Sequence, residues 1–329
     1  MSKNGQIKFD KGIFILSLDF ELIWGTADLG LEHFRNACVI ERQVVIDRLL
    51  QLFEEFDISA TWAILGHLFL DKCEPQNGIK HPEIARSNFD WIKEDWFAHD
   101  PGGTENEKSI HLGKSLVEKI RNCSVHQEIG SHSFSHIVFG DVDCSRETAE
   151  TEITESIRVA EEQGINLKSF VFPRNEIGYL DLLKKFGFDC YRGVEPNWYE
   201  NRSVSEKLRR GLRLFDVIRA AAPPTILPQQ DDTGIWNIAG SAMYFPMHGF
   251  RRHIPVSTRV KRAVKGINAA VAKKEIFHFW FHPTNMVDEM EKMFDGLRQI
   301  FEYVAKLRDQ GKLDVLTMGE VVDSLNKPS

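Results

Sequence analysis

Two histidines, His132 and His136, stand four residues apart in the segment 126–136, HQEIGSHSFSH. On a helix, side chains at i and i+4 share one face about 6 Å apart, so both imidazoles could reach one metal ion. This spacing also arises by chance in a chain with 12 histidines. The pair follows a short apolar run and Gly130, where a strand would end, and α/β proteins keep their chemistry at the carboxyl ends of strands. The position therefore strengthens the case for a metal site.

Two carboxylates, Asp19 and Glu21, lie two residues apart in SLDFELIW at 17–24. In a strand this spacing puts both side chains on the same face. They could cap or salt-bridge a surface turn, but apolar residues on either side would make two idle carboxylates costly to bury. Two histidines and one carboxylate leave open positions on a metal for water and substrate, as metal-assisted hydrolysis requires, with the second carboxylate spare as a base.

The elements that must position these side chains alternate along the chain. Apolar runs predict strands at 13–18, 59–65, 125–129, 167–172, 188–191, 236–239, 276–281 and 313–317, and apolar residues at helical spacing predict helices at 40–56, 145–163, 179–186 and 286–308. Seven or eight βα repeats with no sign of a second domain predict an α/β fold, a barrel of parallel strands built from one domain over 1–329.

Two long regions interrupt this rhythm and are expected to be insertions or loops. Residues 72–110 are polar and rich in aromatics, which predicts either a functional loop over the site or a peripheral subdomain. Residues 201–265 include a basic stretch at 251–265. A solvated helix face is the default interpretation of that stretch, and a site for phosphate groups or an anionic membrane surface is the functional one.

Composition excludes several classes of protein. The net charge of −7 and pI near 6.0 argue against a nucleic-acid binder. The five cysteines are scattered, odd in number and without CxxC, so they predict neither a disulfide framework nor a cysteine zinc site, and they fit a reducing compartment. No apolar segment is long enough for a transmembrane helix, and the amino-terminal apolar run is too short for a secretory signal. We expect a cytoplasmic protein, with peripheral membrane contact left open and no indication of its oligomeric state.

Several motifs together resemble the polysaccharide deacetylases, carbohydrate esterase family 4, which share the chitooligosaccharide deacetylase homology domain. The matching segments span most of the chain: SLDFE at 17–21, ISATWAILG at 58–66, GSHSFSH at 130–136, FVFPRNEIGY at 170–179, FGFDCYRGVEPNWYE at 186–200, IFHFWFHPTNM at 276–286 and LDVLTMGEVVDSL at 313–325. The resemblance implies a distorted parallel (β/α) barrel with about seven strands. It also implies a bound divalent metal, zinc first among the candidates, and removal of N- or O-acyl groups from sugars.

The resemblance also implies roles for the residues at the motif positions. Asp19 would be the general base, and His132 and His136 would be metal ligands. Most members have a second aspartate where this chain has Phe20, so Glu21 is expected to be the third ligand.

Two further residues are expected to take part in catalysis. Arg174 would hold Asp19 ionised and oriented through a charge-assisted pair, and His282 would protonate the leaving amine. Arg174 could instead be a buried structural partner, and His282 could simply cap the end of a strand.

Other aromatic and imidazole side chains are candidate substrate contacts. Trp198 and Trp236 could form an apolar wall for an acyl methyl or a sugar face, although core packing is the commoner use of tryptophan. The irregular regions offer His99 and His248, whereas His67 and His278 are expected to be structural.

These expectations favour a metal-dependent hydrolase that removes an N-acetyl or N-formyl group from a sugar. The substrate would be a surface polysaccharide or its nucleotide- or lipid-linked precursor. One alternative is a catalytically idle carbohydrate-binding or assembly protein, which the departure at Phe20 makes conceivable. Another is an amide hydrolase that acts on a non-sugar substrate.

Overall fold

The computed structural model describes residues 7–26, 31–197, 199 and 204–326, and every statement below concerns these residues. Twelve strands lie among them. In chain order they are β1 (Gly12–Phe20), β2 (Ala60–Ile64), β3 (Lys72–Cys73), β4 (Gly103–Thr104), β5 (Gln127–Ser131), β6 (Ser169–Val171), β7 (Cys190–Arg192), β8 (Gln229–Gln230), β9 (Trp236–Asn237), β10 (Ala242–Met243), β11 (Ile276–Phe281) and β12 (Leu313–Val315).

Nine α-helices accompany these strands in the described residues. They are α1 (Leu31–Ile40), α2 (Ile46–Phe56), α3 (Lys114–Arg121), α4 (Arg146–Glu161), α5 (Leu180–Lys185), α6 (Glu206–Ile218), α7 (Val256–Lys273), α8 (Met290–Asp309) and α9 (Met318–Leu325).

Strand β1 lies inside the main sheet, between β11 and β2, and is buried along its whole length. Its side chains alternate between two cores, as the pleat of a strand requires. Phe14, Leu16 and Leu18 belong to the large core, and Ile13 and Ile15 belong to a smaller one. In the sequence, a strand that is covered on both faces appears as a continuous apolar run, and this is why the run at 13–18 predicted a strand.

The main sheet is a curled half-barrel, which confirms the predicted distorted parallel barrel. Its strands run in the order β10-β11-β1-β2-β5-β6-β7-β9-β8, and β12 pairs with the start of β1. All of these pairings are parallel except β8 with β9. The carboxyl ends of the parallel strands therefore open at one end of the half-barrel.

The two long irregular regions differ in structure. Within 72–110 the only described strands are β3 and β4, which form a separate antiparallel ribbon. The region 201–265 supplies β8, β9, β10, α6 and the first half of α7, so part of it belongs to the main sheet. No helix among the described residues is long and apolar enough to cross a membrane.

The basic stretch 251–265 is not a uniformly solvated face. Arg259 and Arg262 are buried, and the guanidinium of Arg259 donates hydrogen bonds to the carbonyls of Phe245, Ile254, Pro246 and Arg251. Lys265 donates to the carbonyl of Ala220. These hydrogen bonds hold α7 against the segment 245–254 and against Ala220 just after α6.

Candidate active site

The inner face of β1 carries the two predicted carboxylates to the open end of the half-barrel. Ser17 and Asp19 continue the alternation of Ile13 and Ile15, and Glu21 follows directly after the strand. Asp19 is 3% exposed and Glu21 is 7% exposed. Phe20 points the other way, into the large core, where its ring packs edge-on against Trp62.

Glu21 depends on a neighbouring glycine for its position. A Cβ atom on Gly25 would lie 2.0 Å from Glu21 Oε1. Any side chain at this position would therefore displace the carboxylate from where it now lies.

The loop after β5 carries His132 and His136, and it is not the helix that their spacing predicted. Ser133 and His136 have φ values of 63° and 69°, in the left-handed region that a helix does not use. The helical prediction was wrong because the backbone groups of this loop bond to other elements. Gly66 and His67 donate their amides to the carbonyls of Ser133 and Phe134.

A buried glutamate of α4 organises the same loop from the other side. Glu152 accepts the backbone amides of Phe134 and Ser135 at 2.9 and 2.8 Å, and it also accepts the Ser135 hydroxyl. Burial raises the pKa of Glu152 to about 7, although these hydrogen bonds oppose the rise. The loop conformation is thus set by contacts between elements that are distant in sequence.

Glu21, His132 and His136 converge on one point. Glu21 Oε2 lies 3.2 Å from His132 Nε2 and 2.9 Å from His136 Nε2. The ring nitrogen His132 Nδ1 lies 2.8 Å from the carbonyl oxygen of Val171, which can only accept, so Nδ1 carries the proton. In the neutral ring Nε2 is then an acceptor that faces a second acceptor, and a cation between them would satisfy both.

The charge states of these groups fit a metal site. Burial opposes ionisation of Glu21, but His136, His282 and His132 outweigh it and hold the pKa of Glu21 well below its ordinary value. Burial lowers the pKa of His136, which favours the neutral imidazole that a metal binds. Imidazole nitrogens together with a carboxylate are a donor set that suits divalent ions such as zinc.

Asp19 is held by an arginine, and that arginine is Arg192. Its two terminal nitrogens lie 2.6 Å from the two oxygens of Asp19, in a bidentate pair that is almost completely buried. Burial opposes ionisation of Asp19, but the charge and hydrogen bonds of Arg192 hold its pKa below the ordinary value. The prediction that Arg174 makes this pair was wrong, because Arg192 points inward from the carboxyl end of β7.

A chain of buried groups fixes Arg192 in turn. Arg192 Nη1 donates to Ser17 Oγ at 3.1 Å, and His278 Nε2 lies 2.8 Å from the same hydroxyl. His278 Nδ1 faces the carbonyl of Ile238 at 3.1 Å. Burial, followed by the charge of Arg192, lowers the pKa of His278 to about 3, so its ring is neutral and accepts from Ser17. That His278 is structural stays a prediction.

His282 follows β11 and lies beside both carboxylates. Its Nε2 atom is 3.7 Å from Asp19 Oδ2 and 3.5 Å from Glu21 Oε1. The side chain is 26% exposed, more than the other groups of the site. It therefore lies between the carboxylates and the solvent.

A cavity of about 410 Å³ opens next to Arg192. Trp280 forms part of its wall, stacks at 4.3 Å on the Arg192 guanidinium and donates its indole N–H to Glu195. Arg174 also lines this cavity, with its guanidinium 5.0 Å from the Trp91 ring. The charged lining residues are Arg174, Arg192, Arg209, Arg213, Glu176 and Glu195.

Of the four predicted substrate contacts, Trp236, His99 and His248 do not line this cavity. Trp236 packs against the smaller core. His248 is exposed and pairs with Asp288 at 2.6 Å, and His99 is exposed in the turn before Asp100. Trp198 lies outside the described residues. Trp280, which was not among the predicted contacts, lines the cavity instead of Trp236.

One buried acid near the site was missed. Glu41 begins a π-helical turn, Glu41–Val45, and its side chain is fully buried. Burial and then the charge of Glu21 raise the pKa of Glu41 well above its ordinary value, so the neutral form is favoured. Turns of this kind are frequent at functional sites.

No family model and no curated protein matches the sequence of this chain. Its structure, however, is similar to that of a Mycobacterium smegmatis protein classed as a polysaccharide deacetylase. That pair has a TM-score of 0.60 at 14% identity, over 96% of this chain and 91% of the other.

Two further solved structures have the same architecture. The allantoinase PuuE has a TM-score of 0.59 at 10% identity, over 96% of this chain and 91% of its own. A Pseudomonas aeruginosa PAO1 protein classed as a polysaccharide deacetylase has a TM-score of 0.57 at 9% identity, over 94% and 89%. These values show that the chain shares its fold with these three proteins. Two of the three are classed as polysaccharide deacetylases, so the fold agrees with the resemblance that the motifs indicated.

Proposed function

We propose that this protein is a metal-dependent hydrolase that removes an N-acyl group, acetyl or formyl, from a sugar. The observation that carries the proposal is the convergence of Glu21, His132 and His136 beside the buried Asp19–Arg192 pair. Glu21 Oε2 lies 3.2 Å from His132 Nε2 and 2.9 Å from His136 Nε2. A carboxylate with two imidazoles, next to a second carboxylate, is the arrangement that amide hydrolysis by a bound divalent ion needs.

Glu21, His132 and His136 would hold the metal. A divalent ion bound there acts as a Lewis acid that makes a water more acidic and an acyl carbonyl more electrophilic. Zinc suits this set of nitrogen and oxygen donors.

Asp19 is the base in this proposal. Arg192 keeps its carboxylate ionised and fixes its orientation through two hydrogen bonds. The carboxylate accepts a proton from a water as the water oxygen adds to the acyl carbon. Because Asp19 is 3% exposed, the proton does not pass readily to bulk solvent.

His282 is the acid. An amine leaves poorly unless its nitrogen is protonated as the C–N bond breaks. His282 lies within 3.7 Å of Asp19 and is more exposed than the rest of the site, so its Nε2 can face a substrate that enters from solvent. The products are a carboxylic acid and a free amine.

The cavity beside the site supports a phosphate-bearing sugar as the substrate. Its charged lining comprises two glutamates and four arginines, of which Arg192 is already paired with Asp19. Arginine binds phosphate through planar, bidentate hydrogen bonds. A nucleotide- or lipid-linked precursor of a surface polysaccharide would present a diphosphate next to its sugar, and a nucleotide-linked one would be met in the cytoplasm.

The test is acid release by the zinc-loaded enzyme. Acetate and formate are measured after incubation with a nucleotide-linked N-acyl hexosamine and with the free N-acyl sugar. Asp19→Asn and His282→Asn should each lower the rate by a factor of about 100 or more. His126→Asn is the control, because His126 is exposed at the amino end of β5, at the opposite end of the half-barrel.

The outcomes separate the alternatives. Release that these two variants abolish and the control retains would support the sugar hydrolase, and faster release from the nucleotide-linked sugar would support the precursor. Turnover of a small cyclic amide but of neither sugar would favour a non-sugar amide hydrolase. Sugar binding by calorimetry without any turnover would favour the idle carbohydrate-binding protein.

A further inference from the structure

A second cluster of metal-binding side chains lies outside the candidate active site. His67 Nε2 lies 3.0 Å from His81 Nε2 and 3.3 Å from Asp100 Oδ2, and Cys73 Sγ lies 3.3 Å from His81 Nε2 and 3.0 Å from Asp100 Oδ2. Their four ligand atoms all lie within 4.8 Å of one another. The exposed fractions of His67, Cys73 and Asp100 are 0%, 4% and 1%, and that of the His81 side chain is 9%.

The protons on the two imidazole rings are fixed from outside the cluster. His67 Nδ1 lies 2.8 Å from the carbonyl oxygen of His111, which can only accept, so this nitrogen carries the proton. His81 Nδ1 lies 2.9 Å from a carboxylate oxygen of Glu83, which likewise accepts. In the neutral rings both Nε2 atoms are therefore acceptors, and they face each other.

With both imidazole rings neutral, the four atoms form a set that its own protons cannot satisfy. Two imidazole lone pairs and a carboxylate converge, and the Cys73 thiol has a single proton to donate. Among the described residues, no lysine or arginine side chain forms an ion pair with the Asp100 carboxylate. Buried acceptors that are left unpaired are costly, whereas a divalent cation would bind all four at once.

Four of the six separations between the ligand atoms are close to the edge lengths of a small coordination tetrahedron. With ligand bonds of about 2.0 to 2.3 Å, the edges of a tetrahedral zinc site are about 3.3 to 3.7 Å. The four contacts of 3.0 to 3.3 Å are slightly shorter than those edges. Outward expansion by a few tenths of an ångström would accommodate the ion.

The chain is shaped locally to bring these ligands together. Cys73 lies on β3, which pairs with Gly103 of β4, and Asp100 lies in the turn just before β4. His81 has a φ of 47°, a strained value for a residue other than glycine. Such strain persists where the surroundings enforce it, and it clusters at functional positions.

We propose that His67, Cys73, His81 and Asp100 bind a structural zinc ion that anchors the segment 72–110 to the half-barrel. Four protein ligands in a buried site leave no position for substrate, which is the property of structural zinc sites. The proposal does not depend on hydrolase activity.

This ion would also brace the candidate active site. The ring of Phe134, which lies between His132 and His136 in sequence, has its centroid 5.6 Å from that of His67 and 4.9 Å from that of His81. The backbone amide of His67 donates to the carbonyl of Phe134 at 2.9 Å. Ordering His67 and His81 therefore orders the loop that carries the active-site histidines.

The test uses cobalt in place of zinc, because a thiolate bound to Co²⁺ gives a near-ultraviolet charge-transfer band. The active-site cluster has no sulfur ligand, so this band reports only on the second site. We expect the band in the wild type and in His132→Ala but not in Cys73→Ser. Cys144→Ser is the matched control, since Cys144 is also 4% exposed and belongs to neither cluster.

Metal content gives an independent measure. Wild-type protein that is purified with zinc should contain about two ions per chain, and Cys73→Ser and His132→Ala about one each. This proposal would be overturned if the wild type lacked the band and held at most one ion, and if His132→Ala lost that ion. The proposed hydrolase function would not be affected by that result. The band together with one ion that only Cys73→Ser loses would support this site and count against the active-site metal.

If Cys73→Ser does not fold, the wild type alone decides. Its cobalt band and its thermal stability before and after treatment with a strong chelator remain measurable. Loss of the band with a marked fall in Tm would support the site. An unchanged Tm with no band at any cobalt concentration would overturn it.

Discussion

The Asp19–Arg192 pair gives the sharpest test of how the site is held. Both side chains are almost completely buried, at 4% and 1% exposed, and they share two contacts of 2.6 Å. Removal of one partner leaves a buried charge without its counterpart, which costs about 3 to 5 kcal/mol in comparable pairs. We expect Arg192→Met to lower the free energy of unfolding by that amount, because in the described structure Arg192 is the only arginine paired with Asp19.

A double-mutant cycle isolates the interaction from the packing that is lost with the side chain. Urea unfolding of wild type, Arg192→Met, Asp19→Asn and the double variant should give a coupling free energy of at least about 2 kcal/mol. The matched cycle with Arg174→Met, an arginine on the same cavity, should give a much smaller value. A coupling below about 0.5 kcal/mol for Arg192, or a larger one for Arg174, would refute the assignment.

Two other perturbations test the supports of the metal ligands. Burial raises the pKa of Glu152 to about 7 from 4.5, so the unfolded chain binds fewer protons between these values and stability falls as the pH rises through them. Glu152→Gln removes that titration. Between pH 5 and pH 8 the free energy of unfolding, measured with urea, should therefore fall by about 2 kcal/mol more in the wild type than in the variant, and equal losses in the two proteins would contradict this. Gly25→Ala should push Glu21 aside and weaken zinc binding by a factor of about 10 to 100 by competition titration. Its control, Gly211→Ala, meets no atom within 4 Å, and equal zinc affinity in both variants would contradict the role of Gly25.

The parallel half-barrel and the ends of its main strands could be predicted from sequence because a strand buried on both faces leaves a continuous apolar run. The runs at 13–18 and 276–281 fall within β1 and β11. The two-residue strands β8 and β10 were not identifiable, since so short a segment has no periodicity to detect.

The sequence predicted the position of a site residue where the alternation of side chains along a strand determines which face the residue lies on. Asp19 and Glu21 lie on the same face because they are two positions apart at the end of a strand. Arg192 could have been found in the same way, because it lies two residues after Cys190 on the inner face of β7. Arg174 was favoured by its motif instead, and a motif does not fix where a side chain points.

Contacts between distant segments account for what the sequence missed. The conformation of the loop of His132 and His136 is set by Glu152 on α4 and by backbone amides that follow β2. The spacing of the two histidines in the sequence does not reveal either contact. The ligands of the second cluster are separated by 6, 8 and 19 residues. Because only one of them is a cysteine and none forms a CxxC, this cluster has no local signature.

The zinc content of the His132→Ala/Cys73→Ser double variant, compared with Cys73→Ser alone, tests the central claim most directly. Cys73→Ser keeps the ligands of the candidate active site, so it should hold about one zinc per chain and still release acid from an N-acyl sugar, at a lower rate than the wild type because the loop of His132 and His136 loses its support. The double variant should hold none and release none. Undiminished zinc in the double variant, or acid release that persists without zinc, would contradict the assignment of Glu21, His132 and His136 as the catalytic metal site.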